Sequence, residues 1–329
     1  MEKEKENFIS TIEFLRGFAM LSICYTHYKI HFIVNDFWFY SMIYADFGVS
    51  LFFVISGFVI PLSLYEKKYT IFDYPKFITK RLLRVYPPFI AGLLLTIFLT
   101  YLSNFSPFHQ GANNGVSAKY IISNLLLIPS FFNQPWYSPV LWTLAIEMQF
   151  YLLIGLIAPF LFSDKKWIQY LTILLFAGIQ FIINDERIFG FHSMVFLIGI
   201  VGFLKYKEKI NLLEWLIITT LILLGIGFKM ELTNTKFIAL PITICLILFV
   251  PLKNRFFEFC GKISYSYYIL HIIIGGSLII DFGKNFIHSA FGINLLTFST
   301  IFLLIPISWI FYSLFEVPFQ KLGKKINSA

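Results

Sequence analysis

Charge is the scarcest resource in this chain. Only 13% of its 329 residues are Asp, Glu, Lys or Arg, against about a quarter in a soluble globular domain. Cysteine is nearly as sparse: Cys24, Cys245 and Cys260 are an odd number at wide spacing, which leaves neither a disulfide framework nor a zinc pattern. No Gly-x-Ser-x-Gly elbow, no His-Glu-x-x-His pair and no P-loop occurs. A serine hydrolase, a zinc protease and an ATP-driven pump are therefore not indicated. Neither an internal repeat nor a hydrophilic domain is visible. The opening MEKEKENFIS is polar, and no small-residue cleavage site follows the first apolar run. That run is read as a retained span rather than as a signal peptide.

What is present is apolar bulk. Hydrophobic residues make up 58% of the chain, with 41 Phe, and mean hydropathy is +0.76. A core of this size cannot hide so much apolar surface, so the excess must face lipid. A hydrocarbon layer of about 30 Å takes roughly 20 apolar residues in a helix. Ten runs approach that length: 10–33, 47–65, 86–103, 138–162, 166–183, 188–205, 211–229, 236–252, 262–281 and 294–318. The expectation is an all-α, polytopic transmembrane bundle of ten spans forming a single domain over 1–329. Residues 118–131 are apolar but short, as suits a re-entrant or interfacial helix. With the N-terminus inside, nineteen of the 26 Lys and Arg fall on inner segments and six on outer ones, which places both termini in the cytoplasm. The same asymmetry explains the net charge of +8 without a nucleic-acid partner.

An ionisable side chain at membrane depth is costly and marks a functional position by default. Arg16 and His27 lie eleven residues apart in the first run. At about 100° per residue both fall on one helix face, roughly 16 Å apart, with His31 one turn further on. Glu147 sits deep in the fourth run, where it should be paired or protonated; Arg16 and His27 are candidate partners. In the ninth run Ser264, Tyr268 and His271 form a stripe at i, i+4 and i+7, and His271 is too deep for an interfacial belt. Arg81 and Arg84, with Lys80 beside them, share one side of a helix before Pro87 and Pro88, which are expected to break it. Two readings fit that cluster: a bidentate grip on phosphate, or a positive-inside flank touching anionic lipid. The outer segment 104–137 holds His109, Gly111, Asn113, Asn114, Gly115, Asn133, Gln134 and Trp136. Its amides and aromatics suit a carbohydrate, and they equally suit an ordinary turn-rich loop.

Several segments in this order carry a family resemblance: Arg16 with His27, GVSLFFVISGF (48–58), RLLRVYPP (81–88), WTLAIEMQFY (142–151), GKISYSYYILHI (261–272) and FEVPFQKLGKK (315–325). Together they resemble the membrane acyltransferase-3 family of bacterial envelope O-acyltransferases, over nearly the whole chain. Some relatives append an SGNH-type esterase-like domain; this chain resembles the stand-alone type. The resemblance implies cytoplasmic acyl-CoA, usually acetyl-CoA, as donor, and no metal. It implies His27 as catalytic base or transient acyl carrier, Glu147 as the group that orients or activates it, and Arg16 in support. Arg81 and Arg84 would hold the CoA phosphates beside Lys80 and Tyr86. Ser56, Trp142, Tyr268 and His271 would support the substrates. Acceptors would be envelope sugars such as O-antigen, capsule, exopolysaccharide or peptidoglycan, and the membrane the bacterial inner one.

A proton-coupled secondary transporter is the alternative that buried Arg, Glu and His also permit. Such transporters often carry repeated halves, which are not seen here. A polysaccharide polymerase or ligase fits less well, because the longest outer loop has one Lys and no Arg.

Overall fold

The computed structural model describes residues 2–32, 45–103, 105, 117–229 and 234–326, and among them every regular element is helical. In chain order these are α1 Glu2–His27, extended by a 3-10 turn Tyr28–Ile30; α2 Gly48–Glu66; α3 Tyr74–Ser103; α4 Ala118–Leu125; α5 Leu141–Leu161; α6 Lys166–Ile182; and α7 Phe189–Tyr206. Then come α8 Leu212–Lys229; α9 Asn234–Phe249; α10 Arg255–Lys262; α11 Ser264–Leu270, continued by π-helical turns over His271–Asp281; α12 Ala290–Phe311, continued by π turns over Tyr312–Glu316; and α13 Val317–Lys325.

Each of the ten apolar runs falls on one of these helices. Among the described residues seven helical segments are long and apolar enough to cross a membrane, and the α10–α11 pair, bent by 64°, makes an eighth if it counts as one span. Helices α6 and α9 are apolar but have only 17 and 16 residues, about 25 Å of helix against a hydrocarbon layer of about 30 Å. The protein is thus an all-helical, multi-pass membrane protein. The short helix anticipated at 118–131 is α4, eight residues long.

One expectation fails. Pro87 and Pro88 do not end a helix: α3 runs unbroken for 30 residues. The two missing N–H groups forfeit bonds to the carbonyls of Leu83 and Arg84. Membrane helices tolerate such breaks in the ladder; next to the freed carbonyls, the Tyr265 hydroxyl donates to Val85 O at 2.8 Å.

The chain folds as two compact units. The first comprises Met1–Ile23, Tyr44–Ile78 and Ile146–Lys262; the second comprises Cys24–Ile43, Thr79–Ala145 and Ile263–Ala329. In the first unit α7 is apolar all round and buried along nearly its whole length, as expected of a central helix. It meets α2 backbone to backbone. A Cβ on Gly57 would overlap the Phe196 carbonyl, and one on Gly199 would overlap the Val54 carbonyl. Small residues permit such an approach between membrane helices, where close packing replaces the hydrophobic drive. A second seam joins α1 to α10, where a Cβ on Gly17 would strike Phe257 O and one on Gly261 would strike Glu13 O.

Helices α2 and α7 close alike. Lys68 and Glu208 take left-handed backbone, φ 53° and 56°. Each follows its helix with paired 6→1 and 5→2 bonds, Tyr69 N to Leu64 O with Lys68 N to Tyr65 O, and Lys209 N to Leu204 O with Glu208 N to Lys205 O. Ion pairs gather at these ends: Lys209 Nζ reaches Asp164 at 2.6 Å and Lys207 Nζ reaches Glu66 at 3.2 Å. The Lys209 ammonium holds the Asp164 carboxyl below the usual carboxylate range.

In the second unit α12 packs along α11 and its π-helical continuation, presenting buried Thr297, Thr300 and Ser308. Glu316 is buried in the same unit. It accepts the Ser266 N–H at 3.0 Å, the Ser266 hydroxyl at 2.5 Å and the Gln320 amide at 3.2 Å. A carboxylate so fully bonded fixes the C-terminal π turns against α11.

Candidate active site

Helix α1 carries both Arg16 and His27, the first in the first unit and the second in the other. His27, half-buried at the last residue of α1, lies beside His271: the ring centroids are 5.3 Å apart and tilted by 49°. His271 is 1% exposed and opens the π-helical turns. Its Nδ1 lies 2.6 Å from the Tyr268 carbonyl oxygen. A carbonyl only accepts, so Nδ1 bears the proton and Nε2 the lone pair of the neutral ring. That Nε2 is buried and has no hydrogen-bond partner among the described residues.

The backbone of His271 is held from α1 as well. The Tyr28 hydroxyl donates to the His271 carbonyl at 2.8 Å, and the phenol fits only because residue 275 is glycine: a Cβ there would overlap the hydroxyl. π-Helical turns recur at functional sites; here they start at His271, the residue whose side chain meets His27. One step away, the Tyr268 hydroxyl donates to Val140 O at 2.8 Å and lies 2.6 Å from Thr143 Oγ1. Trp142, on the first turn of α5, is 37% exposed. Ser264 is buried.

In the first unit Glu147 Oε1 accepts from Ser56 Oγ at 3.0 Å and from the Tyr151 hydroxyl at 2.5 Å. Ser56 precedes the Gly57 seam, so close packing of α2 fixes its position. Arg16 pairs with Glu13, NH1 to Oε1 at 3.4 Å, one turn earlier on α1. Sequence reading named Ser56 but neither Tyr151 nor Glu13. Their spacings of i+4 from Glu147 and i−3 from Arg16 were the available signal.

On α3 the cations Lys80, Arg81 and Arg84 differ in exposure. Arg84 is exposed, while Arg81 and Lys80 are half-buried. Tyr86 is half-buried and meets Phe89 edge to face at 5.8 Å. His31 lies 3.1 Å from Asp281 and 3.2 Å from Lys284 Nζ through the same Nδ1, a cluster the sequence did not announce. Of the outer segment, His109, Gly111, Asn113, Asn114 and Gly115 lie outside the described residues. The rest is organised by Asn124, whose buried amide bonds Tyr120 O, Pro135 O and Tyr137 N at 3.0, 3.1 and 3.0 Å. Tyr120 and Tyr137 stack at 4.2 Å. Among the described residues no group of three or more His, Cys, Asp or Glu could hold a metal ion.

An imidazole beside a second imidazole of fixed tautomer, inside a membrane helix bundle, is equipped to accept a proton from a hydroxyl. The family described as acyltransferase domain, the acyltransferase-3 group, matches residues 9–313. The chain belongs to that family. Among its relatives, O-acetyltransferase OatA of Staphylococcus aureus (strain NCTC 8325 / PS 47) is 31% identical over 201 residues, covering 57% of this chain and 32% of OatA. SACOL0978 of S. aureus (strain COL), provisionally named an O-acetyltransferase, is 27% identical over 379 residues, covering 98% of this chain and 59% of the relative. The chain therefore spans about a third of OatA and less than two thirds of SACOL0978. No solved structure matches it. Every segment on which the acyltransferase resemblance rested, apart from the C-terminal FEVPFQKLGKK beyond Ser313, lies within the matched region.

Proposed function

We propose that this acyltransferase is a bacterial inner-membrane O-acetyltransferase. It moves an acetyl group from cytoplasmic acetyl-CoA to a hydroxyl of an envelope carbohydrate such as O-antigen, capsule or exopolysaccharide. The observation that carries the reading is the His27–His271 imidazole pair, in a chain whose family and named relatives are acyl- and O-acetyltransferases. In this reading ten crossings keep both termini cytoplasmic, so that Arg81 and Arg84 meet CoA on the donor side.

His27 is the general base. It takes the proton of the acceptor hydroxyl as that oxygen attacks the thioester carbonyl. The new ester C–O bond forms, the C–S bond breaks, and the proton passes from His27 to the departing CoA sulfur. A positioned base contributes about 10²- to 10⁴-fold to such a step. Arg81 and Arg84 grip the CoA phosphates, the geometry in which guanidinium groups bind best, with Lys80 and Tyr86 alongside. Glu147, held by Ser56 and Tyr151, and Arg16, held by Glu13, supply fixed charges for the transfer. Trp142 and Tyr268 line the substrates.

The test uses purified full-length protein, radiolabelled acetyl-CoA and glycan from the native cell envelope. His27→Ala is expected to lower transfer at least about 10²-fold. Transfer at the wild-type rate by that variant ends the assignment. Arg81→Ala with Arg84→Ala is expected to raise KM for acetyl-CoA about tenfold or more while kcat changes less.

A further inference from the structure

We propose that His271 is a positioning residue for His27: its Nε2 accepts the His27 N–H opposite the nitrogen that takes the acceptor's proton, and so shares the charge that develops on that ring during transfer. A carboxylate fills this place in Ser-His-Asp triads. The inference rests on the reading of His27 as the base.

Three observations converge on it. The first is the lone pair. The Tyr268 carbonyl, 2.6 Å away, fixes the proton of His271 on Nδ1, and among the described residues nothing is bonded to the buried Nε2. A buried acceptor without a donor is costly to keep, and its natural complement is the N–H of the neighbouring His27 ring. The second is the neighbour. The nitrogen of His27 that takes the acceptor's proton is its bare one; the other already carries an N–H in the neutral ring, can turn it to His271 Nε2, and donates more strongly once the ring is charged. The ring centroids lie 5.3 Å apart, a separation at which nitrogens turned toward each other would come to about 3 Å.

The third observation is rigidity. The residue after His27, Tyr28, holds the His271 carbonyl through its hydroxyl at 2.8 Å. Gly275 makes room for that hydroxyl. One tyrosine thus ties the backbone at one histidine to the backbone at the other, and the π turns that begin at His271 keep its ring facing α1. The proton ends on the CoA sulfur as before, and His271 neither gains nor loses one over the cycle.

The experiment compares His271→Phe, His271→Gln and His27→Ala in purified full-length protein with labelled acetyl-CoA. His271→Phe keeps a ring of similar bulk but has no acceptor. Its kcat is expected to fall on the order of 10²-fold, with KM for acetyl-CoA changed less than about twofold. The Gln amide oxygen accepts the same N–H, so His271→Gln is expected to retain at least about a tenth of wild-type kcat. A Phe variant with wild-type kcat, or Phe and Gln variants equally impaired, overturns the proposal.

Should the Phe variant not fold, the wild-type protein labelled with ¹⁵N-histidine decides the point. The His271 resonances are expected to report an Nδ1-protonated ring with a bare Nε2, and an Nε2-protonated ring overturns the proposal. The parallel His27→Ala variant separates the two readings. Its full activity removes the base assignment itself, whereas its inactivity beside a fully active His271→Phe removes only the role of His271.

Discussion

In the first unit α2 meets α7, and α1 meets α10, through absent side chains; in the second, tyrosine hydroxyls on backbone carbonyls recur, a device the first unit also has at Tyr69 and Tyr74, on Gly155 and Leu152. Gly57 and Gly199 let α2 and α7 touch backbone to backbone, and Gly17 with Gly261 does the same for α1 and α10. In the second unit Tyr28 bonds the carbonyl of His271, Tyr265 that of Val85, Tyr267 that of Ile301 and Tyr268 that of Val140. Contact through glycine leaves no volume for a functional side chain. A tyrosine strut spans several ångströms, and the space beside it accommodates two imidazoles. The irregular, π-helical stretch thus has room for the His27–His271 pair, while backbone contact at Gly57 and Gly199 leaves none between α2 and α7.

The comparison breaks most sharply at the glycine seam. Gly199→Leu drives a side chain into the Val54 carbonyl and the Phe58 N–H, which are backbone atoms and cannot rotate away. The cost exceeds the ~1–3 kcal/mol of ordinary overpacking. Size-exclusion chromatography in detergent is expected to show loss of monodisperse protein. A Gly199→Leu variant with wild-type thermal stability would mean that packing along α2 and α7 is looser than a backbone contact.

A smaller effect is expected where the second unit relies on polar bonds. Glu316→Ala strands the Ser266 N–H and hydroxyl, both directed at Oε1. Orphaning buried donors of a carboxylate costs about 2–4 kcal/mol, whereas Glu316→Gln keeps an acceptor oxygen and should cost about 1 kcal/mol. Thermal unfolding of the three proteins in one detergent checks the order wild type, Gln, Ala. Equal midpoints for the Ala and Gln variants would show that packing, not the carboxylate, secures the C-terminal turns.

The fold was legible in outline because hydrocarbon excludes polar backbone and charge, so each apolar run has to become a helix. Side-chain pattern also placed Arg16 and His27 on one helix and put His271 at a buried position, whereas Glu147 is half-buried. What stayed hidden has physical causes. A π turn adds one residue to a helical repeat, which leaves no mark on an apolar run such as HIIIGGSLIID. The continuity of α3 through Pro87 and Pro88 is set by surroundings that local sequence does not describe. The partners of the key groups are remote: Ser56 is 91 residues from Glu147, and Tyr28 is 243 from His271. Asn124, which organises the outer segment, looks like any loop asparagine until its three backbone partners are seen.

The smallest effect is expected outside the spans, at the loop between α6 and α7. Arg187 donates to both Asp185 oxygens, Nε at 2.8 and 3.0 Å and NH2 at 2.6 Å. These bonds hold the Asp185 carboxyl down at about 2. A carboxyl whose folded value lies below its unfolded one stabilises the fold above the unfolded value, near 4, and loses that contribution as pH falls toward 2. Nothing in this pair therefore titrates between pH 5 and 9. The pair is solvated, where ion pairs contribute little and salt screens them. The unfolding midpoint of Asp185→Asn is expected to track that of the wild type at a constant small offset across this range, with the offset shrinking in high salt. An offset that changes with pH above 5 would require a second titrating group coupled to Asp185. The loop would then belong with the polar, strut-built architecture of the second unit rather than with the packing of the first.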